Sequence, residues 1–229
     1  MLIRSALLGR SQGDFKPAHF ASPQEFAQAL RAKSPTRSDL YSIRCAFVRD
    51  TLWPSQEEAF SSIDSNVWRS CQQADAVSVG RGQAAVISNA DCPILALASQ
   101  TQLVVAHCGL GSLVDLTGQG RPSLIDCIAQ RFGKHFTEAF IGYGIGPCCY
   151  TAPHAMSLLE KEGSQAAGPK ATVNLIKLIR EQMLRSGIRV NYTNIEARCT
   201  ACAKVEGEYT YHSHRRGDQS RNAAVFWLG

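Results

Sequence analysis

The stretch Asn89-Ala90-Asp91-Cys92-Pro93-Ile94-Leu95-Ala96-Leu97-Ala98-Ser99-Gln100-Thr101-Gln102-Leu103-Val104-Val105-Ala106-His107-Cys108-Gly109 carries the architecture. Two short apolar runs, residues 93–97 and 103–107, are separated by the polar link 99–102, the pattern of two buried strands joined by a turn. Just upstream, residues 74–78 and 84–88 repeat the pattern around Gly80-Arg81-Gly82. Four candidate strands therefore sit at the centre of the chain. Working outward, Ser22-Pro23-Gln24-Glu25 opens a helix, with serine as cap, proline in the first turn and glutamate at the capping-box position. Phe26, Ala29 and Leu30 follow at helical spacing, and the helix runs out near Lys33-Ser34-Pro35. Residues 41–48 read as a strand, whereas 51–69 mix proline, serine and acids and give no assignment.

Downstream, helices are expected near 123–131 and 171–186. The second carries Val173, Ile176, Leu178, Ile179 and Met183 largely on one side and Gly187 as its stop. Strands are expected at 139–143, 188–195, 209–212 and 223–228. Helices and strands do not alternate regularly, which points to the α+β class with a mixed β-sheet core flanked by helices. No repeat, linker or low-complexity tract divides the chain, so residues 1–229 are expected to form a single domain.

The 229 residues are 45% hydrophobic and 19% charged, a globular composition. A formal net charge of +5 is not gathered into a basic stripe, which argues against a nucleic-acid partner and leaves small acidic molecules open. The apolar opening is broken by Arg10 too early for a secretory h-region, and nothing approaches the ~20 apolar residues of a membrane span. Nine cysteines, an odd number, then read as reduced thiols in a cytoplasmic protein without a membrane partner.

Cys92 at the head of one strand and His107 at the end of the next can meet at one sheet edge. An imidazole beside a cysteine can sustain a thiolate nucleophile. Thiolate and imidazole are also two of the three ligands of an open zinc site. Residues of these types that border buried strands also occur simply as packed side chains.

The string from Ala90 to Gly109 resembles the signature of the YfiH/laccase-domain family, in which an Ala-Asp-Cys-x-Pro strand precedes a His-Ala-Gly-Trp-Arg-Gly turn. Ala74-Asp75-Ala76-Val77 is similar to the family's preceding strand. Ile141-Gly142-Tyr143-Gly144-Ile145-Gly146-Pro147-Cys148-Cys149-Tyr150 is similar to its IGPxIxxCCYEV segment. Cys199-Thr200, Ser213-His214-Arg215-Arg216 and Arg221 resemble its CT…FSYRRD…TGR ending. The resemblance covers most of the chain after about residue 45 and implies a mixed sheet flanked by helices. It also implies a pocket holding one zinc on two histidines and one cysteine. The activities it implies are purine nucleoside phosphorolysis and adenosine deamination, with an older description of the family as multicopper polyphenol oxidases. On this reading Cys92 and His107 are catalytic and metal-binding, and a purine nucleoside and phosphate are the expected small-molecule partners. A metal-free Cys-His hydrolase or amidase, and an inactive paralogue that binds a nucleoside or a protein, are the alternatives. A multicopper centre is disfavoured, because only six histidines are present and only His212-x-His214 forms a close pair.

This chain departs from the pattern at three places. The family's first metal histidine falls in a segment like FxRQVHG, and the local match runs from Phe47 through Arg49 to Trp53, with Leu52 in the histidine's position. One zinc ligand is thereby lost and the metal becomes doubtful. The turn after His107 is Cys108-Gly109-Leu110-Gly111-Ser112, without the tryptophan or the arginine. His214 stands where the family has tyrosine and is a candidate replacement ligand, while strand alternation sends Cys108 away from His107. Arg215, Arg216 and Arg221, joined by Arg49, suit either a substrate phosphate or internal carboxylates. Cys199-x2-Cys202 with His212-x-His214 has the ligand types of a zinc knuckle. The simpler expectation makes Cys199 a family position, Cys202 an ordinary neighbour and Cys148-Cys149 core. His19, His135 and His154 are expected at the surface.

Overall fold

The computed structural model describes residues 2–45, 51–52, 59–161 and 163–229. Arg49, Phe47 and Trp53 lie outside the described residues, as does the side chain of Leu52. The chain runs β1 (Ile3–Leu8), α1 (Pro23–Lys33), β2 (Asp39–Arg44), β3 (Thr51–Leu52), β4 (Phe60–Asp64) and β5 (Val67–Gln73). It continues through β6 (Ala76–Val79), β7 (Gln83–Asn89), β8 (Ile94–Ala98), β9 (Leu103–His107), α2 (Leu110–Leu113), α3 (Leu124–Phe132) and β10 (Glu138–Ile141). It closes with α4 (Met156–Lys161), α5 (Leu175–Arg185), β11 (Asn191–Ile195), the short pair β12 (Lys204–Val205) and β13 (Glu208–Tyr209), and β14 (Asn222–Leu228).

The expected α+β class holds, with the core divided between two mixed six-stranded sheets. Their orders are β1-β14-β7-β2-β5-β4 and β11-β10-β8-β9-β6-β3. In the first, β2 runs parallel to β7 and β5; in the second, β10 runs parallel to β11 and β3 to β6. Strand alternation explains the layering. Along β8, Ile94, Ala96 and Ala98 face the other sheet, while Leu95 and Leu97 face helices. The inter-sheet layer is completed by Val77, Val105, Ala85, Ile87, Phe140 and Phe226. Helix α1 covers the outside of the first sheet through Phe26, Ala27 and Leu30. Helices α3 and α5 cover the outside of the second through residues such as Ile125, Ile128, Leu178 and Ile179.

The helix ends form as their residue types dictate. The Ser22 hydroxyl accepts from the Glu25 amide at 3.2 Å, and the Ser123 hydroxyl from the Asp126 amide at 3.1 Å. Among the described residues no helix is long and apolar enough to cross a membrane.

Several elements differ from expectation. β1 is a strand because β14 pairs with it along its whole length; Arg4 and Ser5 conceal it in the sequence. β4 and β5 form a hairpin, with Asn66 in the left-handed region at φ 59°, and their polar faces erase the apolar signal. β11 begins only at Asn191. The expected strand at 209–212 shrinks to β13, so His212 and His214 lie on a turn and not on a strand face.

Candidate active site at the open end of the sandwich

The inter-sheet layer runs out at one end, and strand parity determines which side chains stand there. Ile43, Ile87 and Val105 face the layer; two residues further along the same faces come Cys45, Asn89 and His107. Asp75 precedes inward-facing Val77 by two. The β6–β9 register pairs Ala76 with Ala106, which sets Asp75 beside His107. The His107 amide donates to the Asp75 carbonyl at 2.7 Å. Asp75 is fully buried and His107 is 7% exposed. His107 Nδ1 stands 3.7 Å from Asp75 Oδ1, and the Ser112 hydroxyl donates to Asp75 Oδ2 at 3.3 Å.

Cys92 sits on the turn between β7 and β8, and that turn is tied down on several sides. The Asn89 side-chain amide donates to the Cys92 carbonyl at 2.6 Å. Asp91 accepts the Thr200 hydroxyl at 2.6 Å and the Arg215 amide at 2.7 Å, while its carbonyl takes the Ile145 amide at 2.6 Å. Gly144 passes so close that a Cβ there would meet Pro93 Cγ at 2.5 Å. A cavity of about 740 Å³ opens at this point, and Cys45, Cys92, His107, Tyr150, His214, Arg215 and Arg221 line it.

The electrostatics centre on the imidazole. Burial works to pull the His107 pKa down. The sulfurs of Cys45 and Cys92, together with the adjacent Asp75 carboxylate, overcome it and hold the pKa well above the ordinary value. Burial pushes the Cys45 thiol up to about 11, with the neighbouring His107 pulling the other way. The imidazole thus stands between the Asp75 carboxylate and the Cys92 sulfur at the cavity.

The arginines divide. Arg215 has its guanidinium 5.4 Å from the Tyr150 ring centre and donates to the Thr151 carbonyl at 2.9 Å, and it remains at the cavity wall. Arg221 donates to the Gln219 and Ser220 carbonyls at 3.1 and 2.9 Å, also at the wall. Arg216 is placed apart from the cavity. Its guanidinium binds the carbonyls of Thr200 and Ala201 at 3.1 and 3.0 Å, the Tyr211 carbonyl, and the Asp218 carboxylate. It therefore stitches the C-terminal turns together. His214 is exposed at the rim; His212 is buried, with Nε2 3.1 Å from the Gly13 carbonyl. Cys108 is buried in the helix-side core, as alternation requires. His19, His135 and His154 are exposed.

Sequence reasoning passed over Asp75, Cys45 and Tyr150. The available signal for the first two was parity: an acid and a cysteine standing two residues from inward-facing apolar positions. The expectation for the C-terminal cysteines is also corrected. Cys148 and Cys202 are exposed, not core or incidental, and they meet Cys149 and Cys199 in one cluster whose sulfurs lie within 4.8 Å of one another. That spacing could hold a metal ion.

The family model described as multi-copper polyphenol oxidoreductase laccase matches residues 17–229. The chain belongs to this laccase-like family. Solved structures of the same kind agree in fold. Bacillus licheniformis hypothetical protein YfiH is 16% identical with a TM-score of 0.70, over 99% of this chain and 93% of that one. A DUF152 protein of Neisseria meningitidis is 16% identical with a TM-score of 0.61, over 90% and 79%. YlmD of Geobacillus stearothermophilus is 19% identical with a TM-score of 0.57, over 82% and 73%. No curated protein matches the sequence.

Among the described residues, the cavity of this laccase-like chain does not gather three zinc donors. Leucine occupies position 52. Among the described residues, no three of Cys45, Cys92, Asp75 and His107 bring their ligand atoms within 4.8 Å of one another. Two close donors leave a zinc ion short of the three protein ligands of an open site.

Proposed function

We propose that this laccase-like protein acts on purine nucleosides by phosphorolysis and needs no metal at Cys92 and His107. The observation that carries the reading is a buried His107, its pKa held above the ordinary value, opening into the same cavity as Arg215 and Arg221. A guanidinium has five donors, and the backbone carbonyls that hold these two arginines leave others for an anion. Phosphate held there bonds through one oxygen to C1′ of the ribose as the glycosidic bond breaks. The electron pair of that bond leaves with the purine, which takes the His107 proton at its ring nitrogen. Asp75 keeps the imidazole oriented and charged, and Tyr150 offers an aromatic surface to the base. Deamination, which draws on a metal-activated water, has less support, since no three metal donors gather at this cavity among the described residues.

The test is release of hypoxanthine or adenine from inosine or adenosine, with and without inorganic phosphate. Base release is expected only with phosphate. Arg215→Ala and Arg221→Ala should each raise KM for phosphate about tenfold, the loss of roughly 1.4 kcal/mol of binding. Cys92→Ser should retain most of the turnover. Absence of phosphate-dependent release overturns the reading.

A second reading has its own support, since Cys92, His107 and Asp75 follow one another as nucleophile, base and orienting acid do in thiol hydrolases. It predicts fast alkylation of Cys92 by iodoacetamide at neutral pH, with loss of an amide-hydrolysing activity. Sluggish alkylation counts against it.

A further inference from the structure

About 50 residues apart in sequence, two turns carry cysteine pairs to one place: Cys148-Cys149 after β10 and Cys199-x2-Cys202 after β11. We propose that these four cysteines form a tetrathiolate site for a single zinc ion, which clamps the two turns together beside the cavity. The sulfurs of all four lie within 4.8 Å of one another, and Cys148 Sγ stands 3.6 Å from Cys202 Sγ. A tetrahedral ion with Zn–S bonds of about 2.3 Å requires neighbouring sulfurs about 3.8 Å apart. A disulfide would join two of them at about 2.05 Å, and all four are free thiols.

The backbone is already shaped for metal. Cys199 Sγ accepts the Gly146 amide at 3.2 Å and also takes the amides of Ala201 and Cys202. Amides converging on the first sulfur of a Cys-x2-Cys turn stabilise thiolate and orient it toward a shared ion. The turns keep their shape through backbone bonds of their own. Thr200 donates to the Gly144 carbonyl at 3.1 Å, Ala203 to the Cys199 carbonyl at 2.9 Å, and Cys149 and Tyr150 to the Gly146 carbonyl at 3.0 Å. Gly146 leaves room for the cluster: a Cβ there would lie 3.2 Å from both Cys148 Sγ and Cys199 Cβ.

Soft thiolates in a closed set of four select zinc or iron over oxygen-seeking cations. Zinc suits a site with no open position, whose role is structural. Its placement gives that role content. The first turn delivers Tyr150 to the cavity, and the second delivers Thr200, whose hydroxyl holds Asp91 beside Cys92.

The test is metal content of the full chain, purified with thiols reduced and without chelator or a metal-affinity resin. One zinc per chain is expected, retained in Cys92→Ser and lost in the Cys148→Ser/Cys202→Ser double variant. Cobalt(II) added to the metal-stripped wild-type chain should give intense thiolate-to-cobalt charge-transfer bands with tetrahedral ligand-field bands, a readout that does not depend on the variant folding. Wild-type protein without zinc and without those bands overturns the proposal. So does a double variant that keeps its zinc, iron in place of zinc, or a Cys148–Cys202 disulfide in the reduced preparation.

Discussion

Asp75 and His107 stand as a buried pair beside the cavity, and each depends on burial for its effect. A carboxylate with no exposure must find partners, and here they are the imidazole and the Ser112 hydroxyl. Because the His107 pKa is raised in the folded state, its interaction contributes in full below the unfolded imidazole value of about 6.5. That contribution is lost as pH rises through the folded value. Asp75→Asn should therefore destabilise the protein by about 1.5–3 kcal/mol near pH 6, with the gap to wild type narrowing on the alkaline side. Thermal unfolding across pH 5.5–9.5, run on both proteins at about equal ionic strength, checks this. A gap that does not change with pH would detach Asp75 from the imidazole. At this scale the sequence disclosed Cys92 and His107, because each sits at a strand end next to a recognisable motif. Asp75 lay inside a quoted motif without a role, since its partner is reached only across a β-ladder.

Helices were legible where capping chemistry and apolar period agree, and strands where both faces are apolar. Serine and the acid three residues later announced α1, and the observed bounds of α1 and α3 nearly match those expected; the Ser123/Asp126 cap of α3 is the same chemistry. In α3 the Ser123 hydroxyl accepts the Asp126 amide, while Asp126 also receives the Ser186 hydroxyl from the end of α5 at 2.5 Å. Ser123→Ala should cost about 1 kcal/mol, read as a lower urea midpoint with an unchanged slope. The corresponding Ser22→Ala, on the exposed start of α1, should fall at or below the same figure. β1 and β4 escaped notice because an edge strand with a solvated face alternates weakly, and β5, between β2 and β4, because its residues are mostly polar.

The two-sheet packing is a property of the whole molecule. Phe226 on β14 and Phe140 on β10 meet edge to face with ring centres 5.3 Å apart, joining the sheets through the inter-sheet layer. Phe226→Ala should lose about 3–5 kcal/mol by opening a cavity between sheets that cannot close independently. Leu184→Ala, at a side chain 64% exposed on α5, should change stability by less than about 0.5 kcal/mol. Chemical denaturation of the two variants side by side checks the contrast. Equal losses would mean that the inter-sheet contact adds nothing beyond ordinary apolar burial.

By itself the sequence determined the family, the α+β class, the central β7–β8–β9 run and the Cys92–His107 pair. Each follows from local pattern: apolar period, turn residues, or a motif contained in one or two adjacent elements. Tertiary structure alone decided the division into two sheets and the juxtaposition of Asp75 and Cys45 with His107. It also decided the departure of Arg216 from the cavity and the convergence of Cys148, Cys149, Cys199 and Cys202. These are contacts between distant segments. Their energies arise from burial, ladder register and charge pairing, which no window along the chain contains.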